Sequence, residues 1–345
     1  EILRCLVGSE MCIRDSLLNR PPHEANVAEQ TEHSINGGGL KFDYFSPNEN
    51  HRFNVFASAQ HINRDSYYGP GDRDPLDAYG NTTDLNWMAG SQYVYSFGKC
   101  IFMPSDLTAG IEFNQDKLED NMWGYNRTVD QKVNIGSAFL QNEWKNDHWG
   151  FLIGGRLDKH NLIDHVIFSP RANLRYNPTE NINLRFSYSS GFRAPQAFDE
   201  DLHVENVGGN VAMVELADNL KEERSQSLSA SADIYHRFGA FQVNFLVEGF
   251  YTKLSDVFAL TDGEVVDGIL TRTRHNASGA QVLGLTLEGK MAYLNKIQVQ
   301  AGVTLQQSHY SKPHIWNKEA PAVKKMMRTP NTYGYFTATY TPIKP

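Results

Sequence analysis

Residues 166–177 read VIFSPRANLRYN. Val166, Phe168, Pro170, Ala172, Leu174 and Tyr176 fall on one side of an alternation. Ile167, Ser169, Arg171, Asn173, Arg175 and Asn177 fall on the other. Only an extended strand separates these two sets, because successive side chains of a strand point to opposite faces. The next stretch repeats the pattern: Ile182, Leu184, Phe186 and Tyr188 alternate with Asn183, Arg185, Ser187 and Ser189. So does 226–234, where Leu228, Ala230, Ala232 and Ile234 alternate with Ser227, Ser229, Ser231 and Asp233. Working outward, the same period of two predicts about thirteen strands. They lie near 35–45, 52–62, 83–97, 106–117, 133–145, 148–158, 166–177, 181–192, 224–238, 241–255, 280–293, 297–309 and 332–341.

The connections alternate short and long. Short ones fall at 46–51, 98–105, 146–147, 177–180, 238–240 and 294–296. Long ones fall at 63–82, 118–132, 159–165, 193–223, 256–279 and 310–331. An antiparallel meander does this when one end of its sheet differs in role from the other, as in transmembrane barrels. Soluble sandwiches use Greek-key crossings instead. Strands of this length span a bilayer at barrel tilt. Tyr44, Phe45, Phe97, Trp144, Trp149, Tyr176, Phe238, Tyr293 and Tyr340 sit beside the short turns, as an interfacial girdle requires. The expected fold is all-β: an antiparallel transmembrane β-barrel meander whose apolar face meets lipid and whose polar face lines a wide lumen.

Composition agrees. The chain has 345 residues, 32 Lys+Arg and 40 Asp+Glu, for a net charge of −8, which argues against a sequence-independent nucleic-acid partner. No run of about 18 apolar residues exists, so helices do not carry it across a membrane. Three cysteines exclude a disulfide scaffold. Two of them lie in residues 1–16, EILRCLVGSEMCIRDS, a stretch without alternation that resembles a translated library-adapter sequence. Residues 1–16 are therefore read as a non-native tail, and 17–345 as one barrel domain.

Specific resemblance begins in 166–225. SPRANLRYNPTENINLRFSYSSGFRAPQ is similar to the mid-barrel signature of TonB-dependent outer-membrane receptors, of the type that takes up siderophores or cobalamin in Bacteroidetes. Gly191–Pro195 matches that family's F-R-A-P box, and 219–225, NLKEERS, resembles its N-P-x-L-K-P-E-x-S box with Asp218 and Glu222 in place of the prolines. NASGAQVLGLTLEG (276–289) and RTPNTYGYFTATYTP (328–342) resemble its later strands. The resemblance implies an outer-membrane barrel of 22 strands around an N-terminal plug that the TonB complex pulls, importing a scarce metal chelate: siderophore-iron, cobalamin or haem. About thirteen strands account for only part of such a barrel. Plug, TonB-binding segment and further strands are expected outside this stretch, which alone should form an open, curled sheet.

No G-x-S-x-G, H-E-x-x-H or P-loop is present, so an enzyme is not expected. Ligand contacts are expected from Tyr67, Tyr68, Trp123 and Tyr125, read as exposed loop aromatics, from Arg193, and from His203. His203 is the one histidine between the two boxes, where the resemblance implies a haem-ligating residue and where an imidazole would serve as axial ligand. Arg171, Arg175 and Arg185 are expected to face the lumen and meet the plug. Asp72, Asp74 and Asp77 offer carboxylate oxygens to Ca²⁺, the one candidate cofactor, against the alternative of a solvated acidic loop. A passive porin with an inward-folded constriction loop, an adhesin barrel, and an outer-membrane hydrolase remain as alternatives.

Overall fold

The computed structural model describes residues 21–24, 29–69, 78–207, 210–266, 268–294, 296–315, 321–327 and 329–342. Eight strands run in order from one edge: β1 (Glu29–Phe45), β2 (His51–Tyr68), β3 (Tyr79–Cys100), β4 (Met103–Met122), β5 (Arg127–Lys145), β6 (Trp149–His160), β7 (Ile167–Thr179) and β8 (Ile182–Arg193). Two short strands follow, β9 (Glu205–Val207) and β10 (Asn210–Leu216), before β11 (Glu223–Phe238) and β12 (Phe241–Ser255) return to the sheet. A second excursion forms β13 (Phe258–Val266) and β14 (Ile269–Asn276). The chain then adds β15 (Ala280–Tyr293), β16 (Ile297–His314), β17 (Val323–Lys325) and β18 (Thr332–Tyr340). The large sheet has the order β1-β2-β3-β4-β5-β6-β7-β8-β11-β12-β15-β16-β17, with β18 also on β16. Each expected strand is present and each pairing within this sheet is antiparallel. Among the described residues strand β1 pairs only with β2 and β18 only with β16, so the sheet is open as expected.

Residues opposite one another across a ladder share a face, which lets each side of the sheet be traced from strand to strand. Glu112 faces Ser137, and Ser137 faces Asp158. Arg156 donates to Glu112 at 3.1 Å, to Ser137 at 2.7 Å and to Asp158 at 2.8 Å, so these polar side chains satisfy one another across three strands. On the other side Ile153 faces Ala172, and Leu157 faces Phe168. Ile111, Ile153, Phe168, Leu283 and Phe336 are all more than half exposed on that side. A continuous exposed apolar band of this kind is what a lipid-facing barrel wall presents. It ends in aromatics at the short turns: Trp149 stacks on its partner Tyr176 with ring centroids 4.1 Å apart, and Phe241 meets Tyr293 at 4.7 Å.

Several strands outrun their expected ends at the long-loop side. β2 continues to Tyr68, β3 begins at Tyr79, β4 reaches Met122 and β5 begins at Arg127. In these extensions the outer face too is polar, as at Asp65 opposite Asn81 and Glu119 opposite Asp130, so the alternation fades while the backbone ladder persists. The short ends turn tightly, with left-handed conformations at Glu49, Ile101, Gly239 and Leu294. Among the described residues, the strand ends that meet the long connections therefore lie at one end of the sheet and those that meet the short ones at the other. Trp123 stands 66% exposed on the 3-10 turn between β4 and β5. In intact cells carrying the full-length receptor with Cys100→Ser, a Trp123→Cys thiol should react with an impermeant maleimide, whereas Cys100, alone in the unaltered background, should not. Equal labelling of the two would contradict the orientation.

Candidate functional site at the long-loop end

The two excursions from the large sheet join each other. β10 pairs with β14 in parallel, β9 with β10 and β13 with β14 antiparallel, making a small sheet of order β13-β14-β10-β9. Parallel pairing cannot come from a hairpin, so 205–216 and 258–276 form one cap assembled from separate loops. The segment leading into it, 194–204, lies as a strap on the inner face of the ends of β2 to β6, and carries one helical turn, α1 (Asp199–Leu202).

The wall grips the strap through side chains that share its inner face. His160 and Gln196 are 3.2 Å apart, Nε2 to Oε1. Gln131 accepts from the Ala197 N–H at 2.7 Å and donates to the Ala197 carbonyl at 3.2 Å, replacing backbone pairing that an irregular segment lacks. Arg127 donates to the Leu202 carbonyl at 2.7 Å and to Asp120 at 2.8 Å. Asp120, 1% exposed, also accepts from Thr82 at 2.6 Å. Arg64 donates to Thr82 at 3.1 Å and reaches Asp199 at 2.6 Å. Below the strap, Val204, Val211 and Met213 pack with Tyr68, Met122 and Tyr125, and the Tyr125 hydroxyl donates to the Tyr68 carbonyl at 2.6 Å. Gly80 is part of this fit: a Cβ there would meet Met122 Sδ and lie 2.8 Å from the Asn121 carbonyl.

From the end of β8 Arg193 reaches Glu200 at 2.6 Å, and from the cap Arg274 reaches Glu200 at 2.9 Å and Asp201 at 2.5 Å. The Arg193 guanidinium sits 3.9 Å from the centre of the Phe198 ring, a cation–π contact. Asp201 also accepts from the Phe198 N–H at 2.9 Å, which closes the turn. The hydrogen bond from Arg193, seconded by Arg274, holds the Glu200 carboxyl below the usual glutamate value, whereas burial pushes Asp201 up in spite of Arg274. A lowered acid stabilises docking above its free value and loses that contribution as pH falls through its docked one. Protection of the 196–204 amides against exchange, corrected for intrinsic rate, should therefore fall below about pH 4.5. Glu200→Gln should flatten that fall. An unchanged pH profile in the variant would remove Glu200 from the latch.

The expected site residues divide. Arg193 lies in the cluster. His203 follows α1 directly, its ring edge-on to Tyr68 at 5.3 Å and its Nδ1 3.4 Å from Glu29. Trp123 is exposed as expected. Tyr67, Tyr68 and Tyr125, read as exposed loop aromatics, are instead buried, because β2 extends through the first two and the strap and cap cover Tyr68 and Tyr125. Arg171 and Arg175 on β7 and Arg185 on β8 face inward as expected, with Arg175 directly opposite Arg185. Among the described residues none of the three forms an ion pair, and Arg175 donates to the Asn146 carbonyl at 2.8 Å. Asp72, Asp74 and Asp77 lie outside the described residues. Sequence reading missed Arg64, Asp120, Arg127 and Arg274, each a single charge near a strand end or in a loop, with no spacing to link it to the others; the acids Asp199, Glu200 and Asp201 are legible in the sequence as charged neighbours of His203, but not as partners of these arginines.

The two-faced antiparallel meander, its apolar outer band and its loop-built cap are those of part of the wall of a transmembrane β-barrel, the class found in the bacterial outer membrane. A family model described as TonB dependent receptor-like, beta-barrel, matches residues 17–344, and the chain belongs to that family, one of receptors rather than enzymes. Among curated proteins no sequence matches. Solved structures with the same fold include the siderophore receptor PirA from Pseudomonas aeruginosa, at 13% identity and TM-score 0.64, over 90% of this chain and 64% of that one. The alcaligin outer-membrane receptor FauA from Bordetella pertussis is similar at 14% identity and TM-score 0.62, over 90% and 51%. The FrpB iron transporter from Neisseria meningitidis is similar at 13% identity and TM-score 0.58, over 81% and 44%. This chain thus spans less than two thirds of the length of each.

Proposed function

We propose that this chain is the greater part of the barrel of a TonB-dependent transporter that imports a scarce metal chelate across the outer membrane. The family membership, with neighbours described as siderophore receptors and an iron transporter, supports this reading. The observation that carries it in this chain is the cap over a polar lumen, built from two loops and latched to the wall by arginines, where a ligand arriving from outside is met first. In this reading a plug lies against the lumen, and the charges of Arg171, Arg175 and Arg185, which form no ion pair among the described residues, suit acidic groups on it. His203 offers an axial imidazole to haem, tested by growth of the full-length receptor on haem as sole iron source: undiminished growth of His203→Ala, with the receptor still at the surface, excludes that role. Oxygen ligation of Ca²⁺ by Asp72, Asp74 and Asp77 belongs to the same reading.

One observation favours a passive channel instead: the strap is an inward-folded loop, as a porin constriction would be. The two readings separate in a single experiment. Cells depending on the full-length receptor are supplied with iron chelates, with and without a functional TonB complex. Uptake that requires TonB supports the transporter, and uptake indifferent to it supports the channel.

A further inference from the structure

At α1, four arginines and four carboxylates balance. Arg64, Arg127, Arg193 and Arg274 meet Asp120, Asp199, Glu200 and Asp201. Only Asp120 belongs to the wall; the other three acids are consecutive residues of the strap. If 199–201 leave, four guanidinium groups face one carboxylate, in a place where Arg64, Arg127 and Arg274 are buried. A buried uncompensated charge is costly, so the cluster demands an anion whether the strap supplies it or not.

Two further observations indicate that the strap is an imperfect occupant. Arg127 Nε and Arg274 Nη1, both buried, find no acceptor among the described residues. Buried guanidinium donors ordinarily do find one. The side chains of Asp199 and Glu200 are 85% and 58% exposed, so their ion pairs are of the weak, water-accessible kind that exchanges readily. Guanidinium forks fit paired oxyanions, and several together select a ligand bearing more than one.

We propose that Arg64, Arg127, Arg193 and Arg274 form a recognition site for a multiply charged oxyanion ligand, a carboxylate- or catecholate-bearing metal chelate, and that Asp199–Asp201 hold the site as an internal stand-in until the ligand displaces them. This names the substrate class of the transporter reading and rests on it. The stand-in competes with the ligand and lowers its apparent affinity. Displacement frees 196–204, so binding and opening of the strap are one event.

The test uses the full-length receptor in detergent. Exchange of the 196–204 amides is followed in sodium chloride, in sodium citrate at equal ionic strength, in ferric citrate, and with a neutral ferric tris-hydroxamate. Citrate and ferric citrate should each speed exchange at least tenfold, and the neutral chelate should not. Asp199→Asn with Glu200→Gln should tighten ferric citrate binding about tenfold, and Arg274→Gln should weaken it at least tenfold. Arg274→Lys, which keeps the charge, should protect the strap as the wild type does and so reports correct folding. No response to citrate, or an equal response to the neutral chelate, overturns the site. Uptake of radioactive iron by cells is measured alongside. TonB-dependent uptake without a citrate response sinks the anion site alone, whereas a citrate response without uptake of any chelate sinks the transporter reading and with it the ligand class proposed here.

Discussion

Replacing Arg127 with alanine should release the strap from the wall while leaving the barrel in place. Arg127 does two jobs at once: it neutralises Asp120, which is 1% exposed, and it donates to the Leu202 carbonyl at 2.7 Å. Its loss leaves buried Asp120 to the Thr82 hydroxyl at 2.6 Å and the more distant Arg64 at 3.8 Å, and removes a charge-assisted bond to the strap backbone. Breaking a buried pair from one side costs about 3–5 kcal/mol. Part of that cost is avoided if the strap lifts and lets water reach Asp120, which is the expected outcome. Amides of 196–204 should lose protection by about a hundredfold or more, at roughly 1.4 kcal/mol per factor of ten. Amides of β7 and β8 should keep theirs. Protection of the strap within about threefold of wild type would show that the apolar packing of Val204, Val211 and Met213 suffices to hold it.

An equally large effect is expected far from the site. Ile153 stands more than half exposed on the outer face of β6, opposite Ala172, in the middle of the apolar band. Ile153→Arg places a charge in hydrocarbon and should destabilise the inserted barrel by about 2–4 kcal/mol. Asn173, one residue beyond Ala172 on β7 and paired with Leu152, faces the lumen. Asn173→Arg should cost little, because water solvates it. Unfolding of the full-length receptor in lipid vesicles by urea measures both. Similar costs for the two substitutions would contradict the assignment of faces.

The faces and the strands were readable because lipid and lumen impose opposite chemistry on neighbouring residues, as Phe168 and Arg171 show. Strand ends were not readable where that contrast stops. Above the lipid band Asp65, Asn81, Glu119 and Asp130 all face outward into water, so the alternation disappears although the ladder continues. The same blindness misplaced Tyr67 and Tyr68, which belong to a strand and not to a loop. The site was less visible still. Arg64, Arg127, Arg193 and Arg274 come from β2, β5, β8 and β14, and only the parallel pairing of β10 with β14 sets the last of them beside α1. Pairing between segments that far apart leaves no local periodicity, and three-residue strands such as β9 carry no pattern of their own. Arg193 alone was found, through the motif that contains it.

The central claim is that each strand has one face in lipid and the other in water, and the segment that first suggested it offers the most direct test. Single spin labels placed in turn at residues 168–176 of the full-length receptor, reconstituted in vesicles, report collision with oxygen, which concentrates in lipid, and with a water-soluble nickel complex. Oxygen accessibility should peak at 168, 170, 172, 174 and 176, and nickel accessibility at 169, 171, 173 and 175, with a period of two. Uniform accessibility to the nickel complex at every position, or a period near 3.6, would contradict a membrane-spanning strand and the account built on it.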